Sequence, residues 1–127
     1  MVKPNDIIIA TIGFIDIDMS KQRPVLILQI IGKYYYVFPI TSKYKNKSQF
    51  IKKHRYCKIK DWEEIGFVKP SWIDIGHLVK INKDKALNEN INPIATLSTD
   101  DITRLADFIL DNNPKIKIQE QFPYKNK

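Results

Sequence analysis

The stretch Pro24-Val25-Leu26-Ile27-Leu28-Gln29-Ile30-Ile31-Gly32-Lys33-Tyr34-Tyr35-Tyr36-Val37-Phe38-Pro39-Ile40 reads as two β-type runs joined at Ile31-Gly32-Lys33. β-Branched and aromatic side chains crowd both runs, and a glycine between two apolar runs is a turn signal. Working outward, Asp6 to Ile12, Phe50 to Ile59 and Phe67 to Ile75 have the same character, each bounded by Gly, Pro, Asn, Asp or Ser. This order predicts a meander of short strands. Pro70 has no N–H to give to a ladder, so the fifth run is expected to be an edge, interrupted or bulged there.

One helix is specified more sharply than any strand. Ser98-Thr99-Asp100-Asp101 offers an N-cap and acidic first-turn residues that suit the positive end of a helix dipole. Ile102, Leu105, Ala106, Ile109 and Leu110 then follow helical spacing, an apolar stripe expected to lie on the sheet, and Asn112-Asn113-Pro114 stops it. Lys83 to Glu89 carry a weaker helical pattern. Strands followed by one packed helix, without repeats or βαβ alternation, predict an α+β, mainly β fold: a small barrel with a C-terminal helix on it. A chain of 127 residues fits one domain, read as residues 1–113, with 114–127 as a polar, flexible tail.

Charge gives the first functional clue. The net charge is +7, and Lys43, Lys45, Lys47, Lys52, Lys53, Arg55, Lys58 and Lys60 fall within one stretch that has no Asp or Glu. These eight cations exceed the net charge, so the rest of the chain sums to about −1 and the basic character is local. Tyr44, Phe50 and Tyr56 interleave with them, and aromatic faces beside cations suit splayed bases on a phosphate backbone. The plainer reading is a solvated lysine-rich loop. A single cysteine, Cys57, forms no internal disulfide and sits in no zinc-spaced cluster, so a reducing cytoplasm is expected. No apolar run is long enough to span a bilayer, and Met1 to Asp6 leads into no signal-type region.

Several segments, in order, resemble the MazF/PemK toxins of type II toxin-antitoxin systems. Lys3-Pro4-Asn5-Asp6-Ile7-Ile8 is similar to the family's opening "GDI(V/I)" strand, Arg23-Pro24-Val25-Leu26-Ile27-Leu28 to its "RRPALVV" strand, and Phe38-Pro39-Ile40-Thr41-Ser42-Lys43 to its "PITS" segment. Lys69-Pro70-Ser71-Trp72-Ile73-Asp74 resembles "xPRTID", and Ala95-Thr96-Leu97-Ser98 with the helix after it resembles the closing motif. The likeness covers about residues 3 to 112. It implies an SH3-like barrel, a homodimer with an RNA groove across its interface, and metal-independent cleavage of single-stranded RNA by 2′-hydroxyl attack. It also implies restraint by a cognate antitoxin and no cofactor.

The resemblance marks Arg23, Thr41 and Asp74 as catalytic. A guanidinium fork suits two non-bridging phosphate oxygens at once, although a surface ion pair is the ordinary alternative. Thr41 and Ser42 are hydroxyls that can donate to a phosphate or cap a turn. Asp74 is either a base, a group orienting an RNA base, or a turn cap before Gly76. Ser42, Lys43, Lys45, Lys52, Lys53, Arg55 and Lys69 are the expected RNA-binding set. Two departures stand out: Ser71, beside Trp72, replaces a family arginine, and the preceding loop, Gly13 to Gln22, carries Asp16 and Asp18 and lacks the usual glycine before Arg-Pro. Lys69, His54 or His77 could supply the missing charge, histidine having a reference pKa of about 6.5.

Other patterns carry less. Asp16-x-Asp18 is not followed by EF-hand ligands, Cys57 has no nucleophile signature, and no P-loop, GxSxG or HExxH is present. Trp62 and Trp72 suit either base stacking or a core or dimer interface. Rival readings are a nucleic-acid-binding or gyrase-targeting protein on the same scaffold, motivated by Ser71, and a housekeeping SH3-like adaptor.

Overall fold

The computed structural model describes residues 2–14, 17–83, 92–112 and 117–120, with side chains over 2–10, 22–83 and 92–112. In chain order the elements are β1 (Asp6–Phe14), β2 (Ile17–Ile31), β3 (Tyr34–Thr41), α1 (Gln49–His54), β4 (Tyr56–Ile59), β5 (Ser71–Asp74), β6 (His77–Asn82), β7 (Ala95–Thr96), α2 (Thr99–Asn112) and β8 (Lys117–Glu120). They form a curled, mostly antiparallel half-barrel sheet with α2 packed on it. Its order is β4-β5-β3-β2-β1-β7, with β6 pairing β3 and β8.

The hairpin expected at Gly32 is present: Ile31 pairs with Tyr34, and Gly32 has φ +58°, the left-handed conformation that primed turns place on glycine. Both faces of this hairpin are covered. Leu26, Phe38 and Ile40 join Ile7, Ile59, Ile73 and Leu97 in a core against Leu105 of α2. Val25, Ile27 and Val37 join Ile8, Ala10, Val79 and Ile81 in a second core on the opposite face. Burial on both sides explains why the two runs are continuously apolar and not alternating. β3 also changes partner along its length, pairing with β6 over Tyr34 to Val37 and with β5 at Ile40 and Thr41. Pro39, which has no N–H, lies at the changeover.

Several expectations need correction. The run Phe50 to Ile59 is not one strand: its first part is α1, capped by Ser48, whose Oγ accepts from Ile51 N at 3.2 Å, and only Tyr56–Ile59 is β4. Lys52, Lys53 and His54 in the last turn of α1 suit the negative end of its dipole. The fifth run is strand only from Ser71, just past Pro70. Most of the loop expected from Gly13 to Gln22 is instead the tip of the β1–β2 hairpin, where Gly13 pairs with Ser20 and Thr11 with Gln22. Asp16 lies outside the described residues, and so does Lys83 to Glu89 beyond its first residue. β8, in the segment expected to be a tail, pairs in parallel with β6; the rest of 114–127 lies outside the described residues.

α2 spans the residues expected but is rotated. Leu105 is buried and Ile102, Phe108 and Ile109 pack on the first core, while Ala106 is exposed and Leu110 is 75% exposed. Its N-terminus is fixed from both sides. Ser98 Oγ accepts from Asp101 N at 3.1 Å, and the Asp101 carboxylate accepts from Lys60 N at 3.0 Å and Asp61 N at 2.9 Å. No described helix is long and apolar enough to cross a membrane.

Candidate nucleic-acid interface

Residues directly opposite in antiparallel strands share a face of the sheet. Val25 and Pro39 are the end pair of β2 and β3, and beyond that pair Arg23 and Thr41 line one cleft. Thr41 pairs with Trp72, Trp72 with Lys58, and Tyr56 with Asp74. One row across three strands therefore carries Thr41, Trp72 and Lys58, with Asp74 and Tyr56 in the next row but one. The face that buries the second apolar core at β6 thus becomes polar and open at β4 and β5.

Two adjoining clefts lie at this end of β3. The first, of about 480 Å3, is lined by Arg23, Thr41, Ser42, Lys43, Lys69 and Ser71, with Phe67, Val68 and Ile94 as an apolar wall. The second, of about 650 Å3, is lined by Ser42, Lys43, Tyr44, Lys45, Asn46, Lys47, Lys69, Pro70 and Trp72. They share Ser42, Lys43 and Lys69. Thr41 Oγ1 accepts from Lys43 N at 3.0 Å, which fixes its rotamer and leaves its own hydrogen to donate. Ser71 is 5% exposed and its Oγ donates to Lys69 O at 3.1 Å, so this hydroxyl braces the wall and supplies no charge.

Arg55, expected on RNA, is instead half-buried and engaged by protein. Its guanidinium donates to both Asp74 carboxylate oxygens at 3.4 Å and to His77 Nδ1 at 3.1 Å. Accepting at Nδ1 places the proton of a neutral His77 on Nε2. Asp74 Oδ1 also accepts from Gly76 N at 2.8 Å, so of its readings the turn cap is the one seen. Neither Asp74 nor His77 lines the two clefts. Tyr56, 9% exposed, has its hydroxyl pKa pushed up by burial and by the charge of Asp74, while Arg55 and Arg23 act in the opposite sense. Both arginines thus lie within electrostatic reach of one buried tyrosine.

The remaining candidates separate. His54 Nδ1 lies 2.8 Å from Asn112 Oδ1 and the ring packs on Phe50, which ties α1 to the end of α2 away from both clefts. Lys52 and Lys53 ride on α1, and Lys52 sits over the Tyr44 ring at 4.9 Å from its centroid. Lys43, Lys45 and Lys69 are exposed and line the clefts. Phe67 and Val68, read in the sequence as the start of the fifth strand run, form instead an apolar cleft wall after Gly66, which has φ +101°. Sequence reasoning did not pair Tyr44 with Trp72.

Cys57 is buried against the first core, and burial pushes its thiol up to about 11, so it stays protonated near neutrality. Among the described residues no three His, Cys, Asp or Glu side chains gather as metal ligands. The groups that the first cleft offers a phosphate are a guanidinium, ammoniums and hydroxyls. No protein-family model matches this chain, and no curated protein is significantly similar to it.

Proposed function

We propose that this chain is a metal-independent endoribonuclease of the MazF/PemK kind: an SH3-like barrel that cuts single-stranded RNA and serves as the toxin of a toxin-antitoxin pair. The observation that carries the reading is that Arg23 and Thr41 line one cleft rimmed by Lys43 and Lys69. In the reaction, the ribose 2′-hydroxyl gives up its proton as its oxygen attacks the adjacent phosphorus, and the bond to the 5′-oxygen breaks as that oxygen takes up a proton, leaving a cyclic phosphate and a 5′-hydroxyl. Arg23 meets the charge that develops on the non-bridging oxygens, Thr41 donates its hydroxyl hydrogen to the phosphate, and the lysines hold neighbouring phosphates. The same reading makes the protein a cytoplasmic homodimer, held in check by an antitoxin whose acidic segment competes with RNA for the basic surface.

A binding-only protein on this scaffold, whether a nucleic-acid-binding module or a relative of the gyrase-targeting toxins, is the second reading. It is favoured by Ser71 in place of a cation and by Asp74 being engaged by Arg55 and Gly76. Incubation with mixed single-stranded RNA in EDTA separates the two. Fragments with 5′-hydroxyl and cyclic phosphate ends support the nuclease; intact RNA that is nonetheless bound supports the second reading.

A further inference from the structure

The wider cleft has an aromatic wall to which the cleavage reading gives no task. Tyr44 and Trp72 stack, with ring centroids 4.3 Å apart and planes 9° from parallel. One ring comes from the segment after β3 and the other from β5, brought together by the pairing of Thr41 with Trp72. Their inner faces are occupied by each other, so Lys52, 4.9 Å from the Tyr44 centroid, and Lys58, 5.7 Å from that of Trp72, lie over the outer faces. Neither ring belongs to either apolar core, and both are only partly buried. A flexible lysine over a ring can swing aside for a flat base and carry its charge to the phosphate. The cleft, at about 650 Å3, is of ligand-site size and is rimmed by Lys43, Lys45 and Lys69.

We infer that this cleft is a nucleobase subsite: one unpaired base of single-stranded RNA extends the Tyr44–Trp72 stack on an outer face, in place of the lysine that covers it, while Lys43 and Lys45 hold its phosphates. The inference rests on the RNA reading of the neighbouring cleft and adds what that reading lacks, a source of base preference. Because Ser42, Lys43 and Lys69 border both clefts, the stacked base belongs to a nucleotide adjoining the phosphate at Arg23. Stacking reads ring area and no base edge, so the subsite favours purines.

The test is fluorescence anisotropy with labelled hexamers that lack the 2′-hydroxyl: all-adenine, all-thymine, and a fully abasic backbone. The parent should bind the adenine hexamer on the order of tenfold more tightly than the abasic one. Trp72→Leu should remove most of that difference without weakening abasic binding, and Trp72→Phe, which keeps a flat ring, should stay near the parent. If Trp72→Leu leaves the difference intact, or weakens both oligomers equally, the stack serves the fold alone and the subsite is overturned. If Trp72→Leu fails to fold, the parent decides: equal binding of adenine, thymine and abasic hexamers overturns the subsite. A parent that cleaves RNA yet shows no such difference leaves the nuclease standing without the subsite. A parent that neither cuts nor binds any oligomer removes both.

Discussion

The Arg55 guanidinium lies directly against Gly76, so closely that a Cβ at that position would run into it. The same guanidinium is held by Asp74 and His77, so it cannot simply swing away from an added methyl group. Gly76→Ala should therefore destabilise the protein by about 1–3 kcal/mol, the usual cost of overpacking. In an Arg55→Ala background the same change should be close to neutral, and paired urea titrations measure the difference. Additive effects would mean that Gly76 is needed for some other reason.

Asp101 predicts how the fold responds to acid. Burial alone would raise its pKa, but hydrogen bonds from Asp61 N, Arg104 and Lys60 N outweigh that and hold it below the usual carboxylate value. A depressed folded pKa means that stability is fully present above the unfolded value of about 3.9 and is lost as pH falls through the folded one. Asp6, lowered overall because hydrogen bonds from Thr96 and Lys3 overcome its burial, acts in the same direction. Asp101→Asn should cost about 3 kcal/mol near neutrality, since an amide offers one acceptor to two backbone N–H groups and leaves Arg104 only the Asp61 carboxylate at 3.7 Å. Urea midpoints measured from pH 6 to pH 2.5 should fall less steeply for this variant than for the parent.

Sequence carried the fold unevenly, and the reasons are physical. The hairpin around Gly32 was legible because a left-handed turn demands glycine and both flanks are apolar. The segment before Tyr56 reads as strand in the sequence because its helix cap, Ser48, lies ahead of the residues that look like strand. β6 escaped notice even though the Asp74-Ile75-Gly76 turn, with Asp74 capping Gly76, separates it from β5. At the site, Arg23, Thr41, Lys43 and Lys69 could be named from their segments, and the structure brings them to one cleft. Arg55 could not be told from the surrounding lysines, because its partner Asp74 arrives only through the pairing of β4 with β5. The Tyr44–Trp72 stack depends in the same way on a register that no local pattern announces.

Salt should govern affinity. Lys43, Lys45 and Lys69 are exposed along the clefts, and Lys47 lines the second. If about four phosphates are neutralised, a slope of about −0.7 per phosphate gives roughly a fiftyfold loss of single-strand binding from 50 to 200 mM salt. Replacing Lys43, Lys45 and Lys69 with glutamine should flatten that slope by about two units. Titrations at several salt concentrations decide the matter, and a slope equal to the parent's would place the RNA elsewhere.

Arg23 carries the sharpest expectation. Arg23 lines the first cleft with Thr41, and the lysines that rim the cleft come from other segments. Removing it should therefore leave backbone binding largely intact while taking away the donor fork that meets charge at the scissile phosphate. Arg23→Ala should slow cleavage by about 10² to 10³, the usual loss for one preorganised donor. Arg23→Lys should recover little, because an ammonium cannot reproduce two parallel N–H bonds. Thr41→Val should cost less than Arg23→Ala, since the hydroxyl positions the phosphate and does not neutralise it. Lys33→Ala, at the exposed hairpin turn away from both clefts, is the control and should match the parent. The measurement is the initial rate of end formation on one RNA, at fixed salt, with folding matched by circular dichroism. Parental activity in Arg23→Ala under those conditions would make Arg23 a structural residue and move the active centre to another part of the molecule.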